Sequence, residues 1–160
     1  MEQLIEAILR ILQEAGFPAV RQMPQGNYPH LNGAVTAVGL QAAKTAQSRR
    51  FSYLGKTEKD GEELELYGKE LEAEVFLQTI CPRSKGAEAV MQQTDNIMQL
   101  LSGPLDAVSL SGFSVGPCSY DAQADVFTMT VTAQISAYLY ALAEEDGTEF
   151  TDFILKGEVK

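Results

Sequence analysis

One histidine, two cysteines and no long apolar run mark this sequence as much by what it lacks as by what it holds. A helix that crosses a bilayer needs about 20 consecutive apolar residues, and no stretch here approaches that length. With a single histidine, any Ser-His-Asp triad would have to use His30, which follows Pro29 in a loop and reads as an ordinary surface residue. Cys81 and Cys118 are too few for a disulfide framework and have no metal-ligand spacing. Free thiols in a reducing compartment are the default for such a pair, with a single bridge left open. No glycine run of the kind that cradles phosphates is present, so nucleotide chemistry has no signature here. Metal ligands show no convergent pattern, and the paired carboxylates of a glycosidase have no fixed spacing by which to be located. No cofactor is expected, and no catalytic residue can be named.

Basic residues are scarce too. Lys and Arg number 12 against 22 Asp and Glu, for a formal net charge of −10. A chain this acidic repels the phosphate backbone, so sequence-independent nucleic-acid binding is not expected. Between Lys85 and Lys156 there is no Lys or Arg, yet that stretch holds Asp121, Asp125, Glu144 and Glu145 among other acids. The basic residues lie earlier, at Lys44, Arg49, Arg50, Lys56 and Lys59. Two readings fit: a solvated acidic surface, or unlike flanks that meet head to tail and close into a ring.

What is present is a set of strong periodicities. Residues 2–15 place Leu4, Ile8, Ile11, Leu12 and Ala15 on one helical stripe, widened by Ile5 and Leu9. Nothing basic precedes that stripe, so it reads as an amphipathic helix rather than a secretion signal. Gly16 is placed to end the helix in a left-handed cap, and Pro18 prevents its resumption. Residues 19–23 suggest a short strand and 24–33 a loop. Ala34 to Leu40 leans to strand, while the Ala-rich 40–47 keeps helix open.

Asp60-Gly61 between two strand-like arms signals a β-hairpin, with Lys56 and Lys59 on its charged, projecting tip. Apolar alternation changes phase near Gly68, which suggests a bulge or bend there. Ala87, Val90, Met91, Ile97, Met98 and Leu101, with Thr94, trace a second helix, capped by Ser84 and stopped at Gly103-Pro104. Residues 107–116 suggest a strand interrupted by Gly112. The longest alternation follows: Phe127 to Leu139 on odd positions, against Thr, Gln, Ser and Tyr on even ones. Thirteen residues would span roughly 43 Å, about twice an ordinary strand. Residues 143–149 read as a turn and 150–160 as a terminal arm or edge strand.

This order predicts an α+β fold over a single domain, 1–160: a largely antiparallel β-sheet, two main helices packed on it and a projecting charged β-hairpin. It resembles the tail terminator (tail completion) proteins of long-tailed bacteriophages, prophages and phage-tail-like particles. The likeness is carried by the opening helix running into EAGFPAVRQMP and the charged hairpin leading to ELEAEVFLQTICP. It continues through the helix SKGAEAVMQQTDNIMQLL and the closing pair VSLSGFSVGPCSYDAQADVFTMTVTAQISAYLYA. The Ala-rich 34–46 segment and the closing FTDFILKGEVK fit it least well.

The resemblance implies a non-enzymatic virion component without cofactors. Such a protein assembles as a ring homo-oligomer, a hexamer, that closes the end of the tail tube and stops its polymerisation. Its partners would be the tail tube protein, sheath protein in contractile tails and neighbouring neck proteins, without specific nucleic-acid binding or membrane association. It would reside in the host cytoplasm during assembly and then in the particle. A DNA-conducting channel benefits from acidic walls, which the net charge permits. In a ring, Lys44, Arg49 and Arg50 would face Asp121, Asp125 or Glu144 and Glu145 of the adjacent copy. Two alternatives stay open: another neck or tail part, such as a head-closure or head–tail joining protein, and a small cytosolic α+β ligand-binding domain or enzyme.

Overall fold

The computed structural model describes residues 2–22, 31–45, 52–59, 62–103, 109–143 and 153–156. His30, Arg49, Arg50, Asp60, Gly61, Glu144 and Glu145 lie outside the described residues, and of Lys59 only the backbone is described. The elements run α1 (Glu2–Glu14), β1 (Ala19–Arg21), β2 (Val35–Thr45), β3 (Ser52–Lys59) and β4 (Glu62–Pro82). After a short 3-10 turn (Arg83–Lys85) come α2 (Ala87–Leu101), β5 (Ser109–Val115), β6 (Ser119–Asp121), β7 (Val126–Ala143) and β8 (Phe153–Lys156). The fold is α+β.

Two long strands form the spine of the sheet. β4 and β7 pair antiparallel without a register break from Glu65↔Ala143 to Pro82↔Val126. Shorter strands tile their outer edges. β2 and β3 lie along β4, and β6, β5 and β8 lie along β7, all antiparallel. Among the described strands only β1 runs parallel, beside β2. The β3–β4 hairpin pairing is present from Ser52↔Gly68 to Lys59↔Glu62. The base of this hairpin belongs to the sheet, because β4 also pairs β7 from Glu65 to Gly68.

Both helices bury their stripes on one face of this sheet. Leu4, Ile8, Leu9 and Leu12 of α1 and Ile97 and Leu101 of α2 pack on Val38, Ala73, Val75, Leu77, Val131, Ala133 and Ile135. Each large aliphatic side chain fully removed from water contributes about 1.5–3 kcal/mol, which is what fixes the helices to this face. Ala15, placed on the α1 stripe by the sequence, is exposed, and so is Met91 of α2 at 40%. Ala15 lies past the last residue of α1, and Met91 flanks the buried stripe of Val90, Thr94 and Ile97. α1 ends as expected: Gly16 has φ +85°, Phe17 N–H donates to Leu12 O and Gly16 N–H to Gln13 O. These two bonds satisfy carbonyls the last turn would leave unpaired.

Three local readings need correction. The strand expected over 34–40 continues through the stretch where helix was left open, as far as Thr45, because Leu40 and Ala42 to Thr45 pair with β4 and long-range pairing outweighs alanine's helix preference. The expected bulge near Gly68 is not on β4; the register shift lies on β3, between Tyr53 and Gly55. Ser84 does not cap α2. The strand runs on through Pro82 into the 3-10 turn, and the helix starts after Gly86, whose φ of 81° and ψ of 165° suit glycine alone.

Candidate functional site

The sheet face opposite the helices presents a continuous set of polar and charged side chains among the described residues. It follows directly from alternation. Where odd residues of β4 and β7 enter the core, even residues emerge on the other side. From β7 these are Thr128, Thr130, Thr132, Gln134 and Ser136, of which Gln134 is exposed and the rest half-buried. From β4 they are Glu72, Glu74, Phe76 and Gln78. The β7 row carries no charge, in a chain whose net charge is −10.

Two β-bulges meet at one level of this face. β2 carries an extra residue at Gln41, where the register steps from Leu40↔Val75 to Ala42↔Glu74. β5 carries one at Ser111, where it steps from Leu110↔Ile135 to Gly112↔Gln134. Since Glu74 pairs Gln134, the two bulges flank the same rung of the β4–β7 ladder from opposite sides. Bulges bend and further twist a strand, and an open groove of about 370 Å³ lies there. Its lining includes Lys44, Glu72, Glu74, Ser111, Gln134 and Ser136. Ser111 Oγ donates to Gln134 O (3.0 Å), and Thr132 Oγ1 donates to Gln41 Oε1 (3.3 Å), which ties both bulges to β7.

The bulge at Gln41 reverses the parity of β2, and so brings Lys44 to this face. Lys44 Nζ pairs with Glu72 Oε2 at 2.7 Å. The hydrogen bond and charge of Glu72, with a contribution from Glu74, raise the Lys44 pKa above its ordinary value. Sequence reading placed Lys44 at a subunit interface; the structure gives it a partner within its own chain.

The acidic candidates are likewise engaged. Asp121 Oδ1 accepts the backbone N–H groups of Gln123 (2.9 Å) and Ala124 (3.2 Å), closing the β6–β7 turn. Asp125 occupies the left-handed region at φ 54° and accepts the Tyr120 hydroxyl at 2.5 Å, with Arg83 Nη1 at 4.0 Å. Arg83 also sits over the Tyr120 ring, 5.7 Å from its centroid. Along the spine, Lys44 is level with Ser136 and Asp125 precedes Val126. About ten residues of strand, roughly 33 Å, separate these levels. Lys44 and the Asp121–Asp125 turn therefore lie far apart along the sheet. Lys56, at the hairpin, bonds Glu63 of its own chain at 2.9 Å.

The separation of charge in the sequence does not carry over simply into space. Ala143, the residue before Glu144, pairs with Glu65 of the hairpin. β7, as far as it is described, thus ends at the end of the sheet that carries Lys56. Glu72, Glu74, Ser111 and Gln134 were not singled out by sequence reading. Alternation places Glu72 and Glu74 on a common face, but the bulges that gather these residues around one rung leave no mark in sequence.

Among the described residues, no group of three or more His, Cys, Asp or Glu could hold a metal ion. Both cysteines are free; Cys81 is fully buried, which pushes its thiol pKa up, and Cys118 is half-buried. No helix among the described residues is long and apolar enough to cross a membrane. No protein-family model matches the chain, and no curated protein matches it.

Proposed function

We propose that this chain is a structural protein that tiles with its own copies into a ring, closing the end of a phage or phage-like tail tube and ending tube polymerisation. The observation that carries this reading is the uncharged polar row from Thr128 to Ser136 on the face away from both helices. A strand row that is mostly half-buried, polar and without charge suits contact with another protein surface, where desolvating a charge would be costly, and the charges beside it, Lys44 and Glu72, are paired with each other. The groove on the same face is open and crossed by an ion pair, which suits a protein surface better than an enclosed ligand.

On this reading the chain performs no catalysis and needs no cofactor. Its partners are further copies of itself, six in a closed ring, together with tail tube protein, sheath protein where the tail contracts, and neck proteins. It acts in the host cytoplasm during assembly and thereafter in the particle. Exposed ion pairs contribute little individually, so sheet and apolar contacts would supply most of the ring's stability. Electron microscopy of particles assembled without this chain provides the test. Overlong tubes support termination; tubes of normal length with unsealed heads point instead to a head-closure role and overturn the proposal.

A further inference from the structure

Among the described residues the sheet has two open edges. Its path runs β1-β2-β4-β7-β5, and no described strand lies beyond β5. On the opposite margin β1 covers β2 only from Thr36 to Val38, and Gln41 to Thr45 are all exposed. Open edges invite pairing with another chain, and proteins blunt them with charges, proline or bulges. β5 has no charged residue and no proline over Ser109–Val115, and Val115 is 49% exposed. Its bulge at Ser111 leaves Gly112–Val115 as a regular run, and the bulge at Gln41 likewise leaves Ala42–Thr45 on β2.

Both runs turn backbone groups outward. Gly116 N–H donates to Thr130 O of β7 (2.8 Å). Antiparallel alternation then directs Ser114 toward β7, and the N–H and C=O groups of Phe113 and Val115 away from it. On β2, Thr36 N–H donates to Pro18 O (2.9 Å) and Gln22 N–H to Val38 O (2.8 Å), so even residues face away from β4. Past the bulge the parity reverses, and Ala43 and Thr45 take the outward positions. The two runs point in opposite directions, because three antiparallel pairings separate β2 from β5. Brought together, they form an antiparallel ladder that continues the alternation of the sheet. Charge selects the combination. Lys44 is the only charged residue of β2, and β5 has none. Two β2 edges would bring Lys44 against Lys44, whereas β2 against β5 opposes no like charges.

We propose that copies join edge to edge: Gly112–Val115 of β5 in one chain adds to Ala42–Thr45 of β2 in the next. The inference rests on the ring reading above and names the surfaces that link one copy to the next. The contact is head to tail, with unlike surfaces on the two flanks, and it repeats until rotation closes it. Main-chain hydrogen bonds supply it, as in other cases of strand addition.

Proline at an outward position removes a donor from the edge and spares the ladder within the chain. Val115→Pro and Ala43→Pro are compared with Val115→Ala, which keeps the N–H, by light scattering and far-ultraviolet circular dichroism. Edge pairing predicts single chains with the wild-type spectrum from both proline variants, and the wild-type multimer from Val115→Ala. Proline variants that keep both spectrum and multimer overturn edge pairing and leave the ring reading standing. A wild-type chain that is single at every concentration overturns both. Should proline disturb the fold, Val115→Cys and Ala43→Cys chains are co-expressed in a Cys118→Ser background, where the remaining native thiol, Cys81, is fully buried. They are treated with a bismaleimide shorter than the roughly 14 Å between β2 and β5 of one sheet. A linked dimer in the mixture alone supports the proposal. Linking by Val115→Cys alone sets β5 against β5 and overturns it, as does a multimer that never links.

Discussion

Phe76 lies across Gly39 of the adjacent strand, so closely that a Cβ at position 39 would overlap Cζ and Cε1 of the ring. Glycine here lets a half-buried aromatic ring lie flat on the sheet face away from the helices. Gly39→Ala is therefore expected to destabilise the fold by about 1–3 kcal/mol, the usual cost of overpacking. In a Phe76→Ala background the same change should be close to neutral. Urea denaturation of the four-member cycle measures the coupling, and additive effects would show that the ring is not what the alanine meets.

The helix face holds its own polar contact. Thr36 and Thr79 stand opposite each other, Oγ1 to Oγ1 at 3.2 Å, and Gln93 Nε2 of α2 donates to Thr36 Oγ1 at 3.0 Å. Thr36→Val would leave both partners short of a bond in a buried setting and should cost about 1–3 kcal/mol. Next to Gln93 in α2, Thr94 Oγ1 is the single buried side-chain polar atom without a partner among the described residues. Thr94→Val keeps the shape and removes that penalty, and is expected to stabilise by about 1 kcal/mol. Thermal denaturation of the two variants should shift in opposite directions.

The β6–β7 turn makes a pH-dependent prediction. The hydrogen bond and charge of Asp125 raise the Tyr120 pKa above its ordinary value of 10.0. The folded state therefore binds the phenolic proton more tightly than the unfolded one. The resulting stabilisation is complete below pH 10.0 and is lost as pH rises through the folded-state value. Ultraviolet titration should show Tyr120 ionising above its ordinary range, and Asp125→Asn should lower that transition. Asparagine tolerates the positive φ at this position, so the turn itself should persist.

For assembly, charge reversal at Arg49 and Arg50 is the informative change. Lys44, Asp121 and Asp125 already have partners in their own chain, so they are weaker candidates for contacts between copies than the sequence suggested. Arg49→Glu with Arg50→Glu is expected to dissociate the oligomer in size-exclusion chromatography with light scattering. Normal assembly of the double reversal would exclude this basic pair from the interface.

Much of the fold was legible because its elements repeat strongly. α1 and α2 follow from apolar spacing, and β7 from unbroken alternation between Phe127 and Ala137. The Gly16 cap follows from the need for a positive φ. The unread parts depend on distant partners. β2 is a strand because β4 lies beside it, not because Ala42 and Ala43 prefer extended backbone. The bulges at Gln41 and Ser111 arise where neighbouring registers must be reconciled, and neither residue is distinctive for that role. The Lys44–Glu72 pair joins residues 28 positions apart and exists only because one bulge turns Lys44 to the outer face. The charge pattern was readable as composition, but the partners that Lys44, Lys56, Asp121 and Asp125 take within the chain follow from strand register and turn geometry.

Solution mass with negative-stain imaging of the purified chain addresses self-assembly most directly. Ring formation predicts a closed toroid whose mass is a whole multiple of the 17.4 kDa chain, six copies on the present reading. A 17.4 kDa species that stays single at every concentration and when mixed with tail tubes would contradict it.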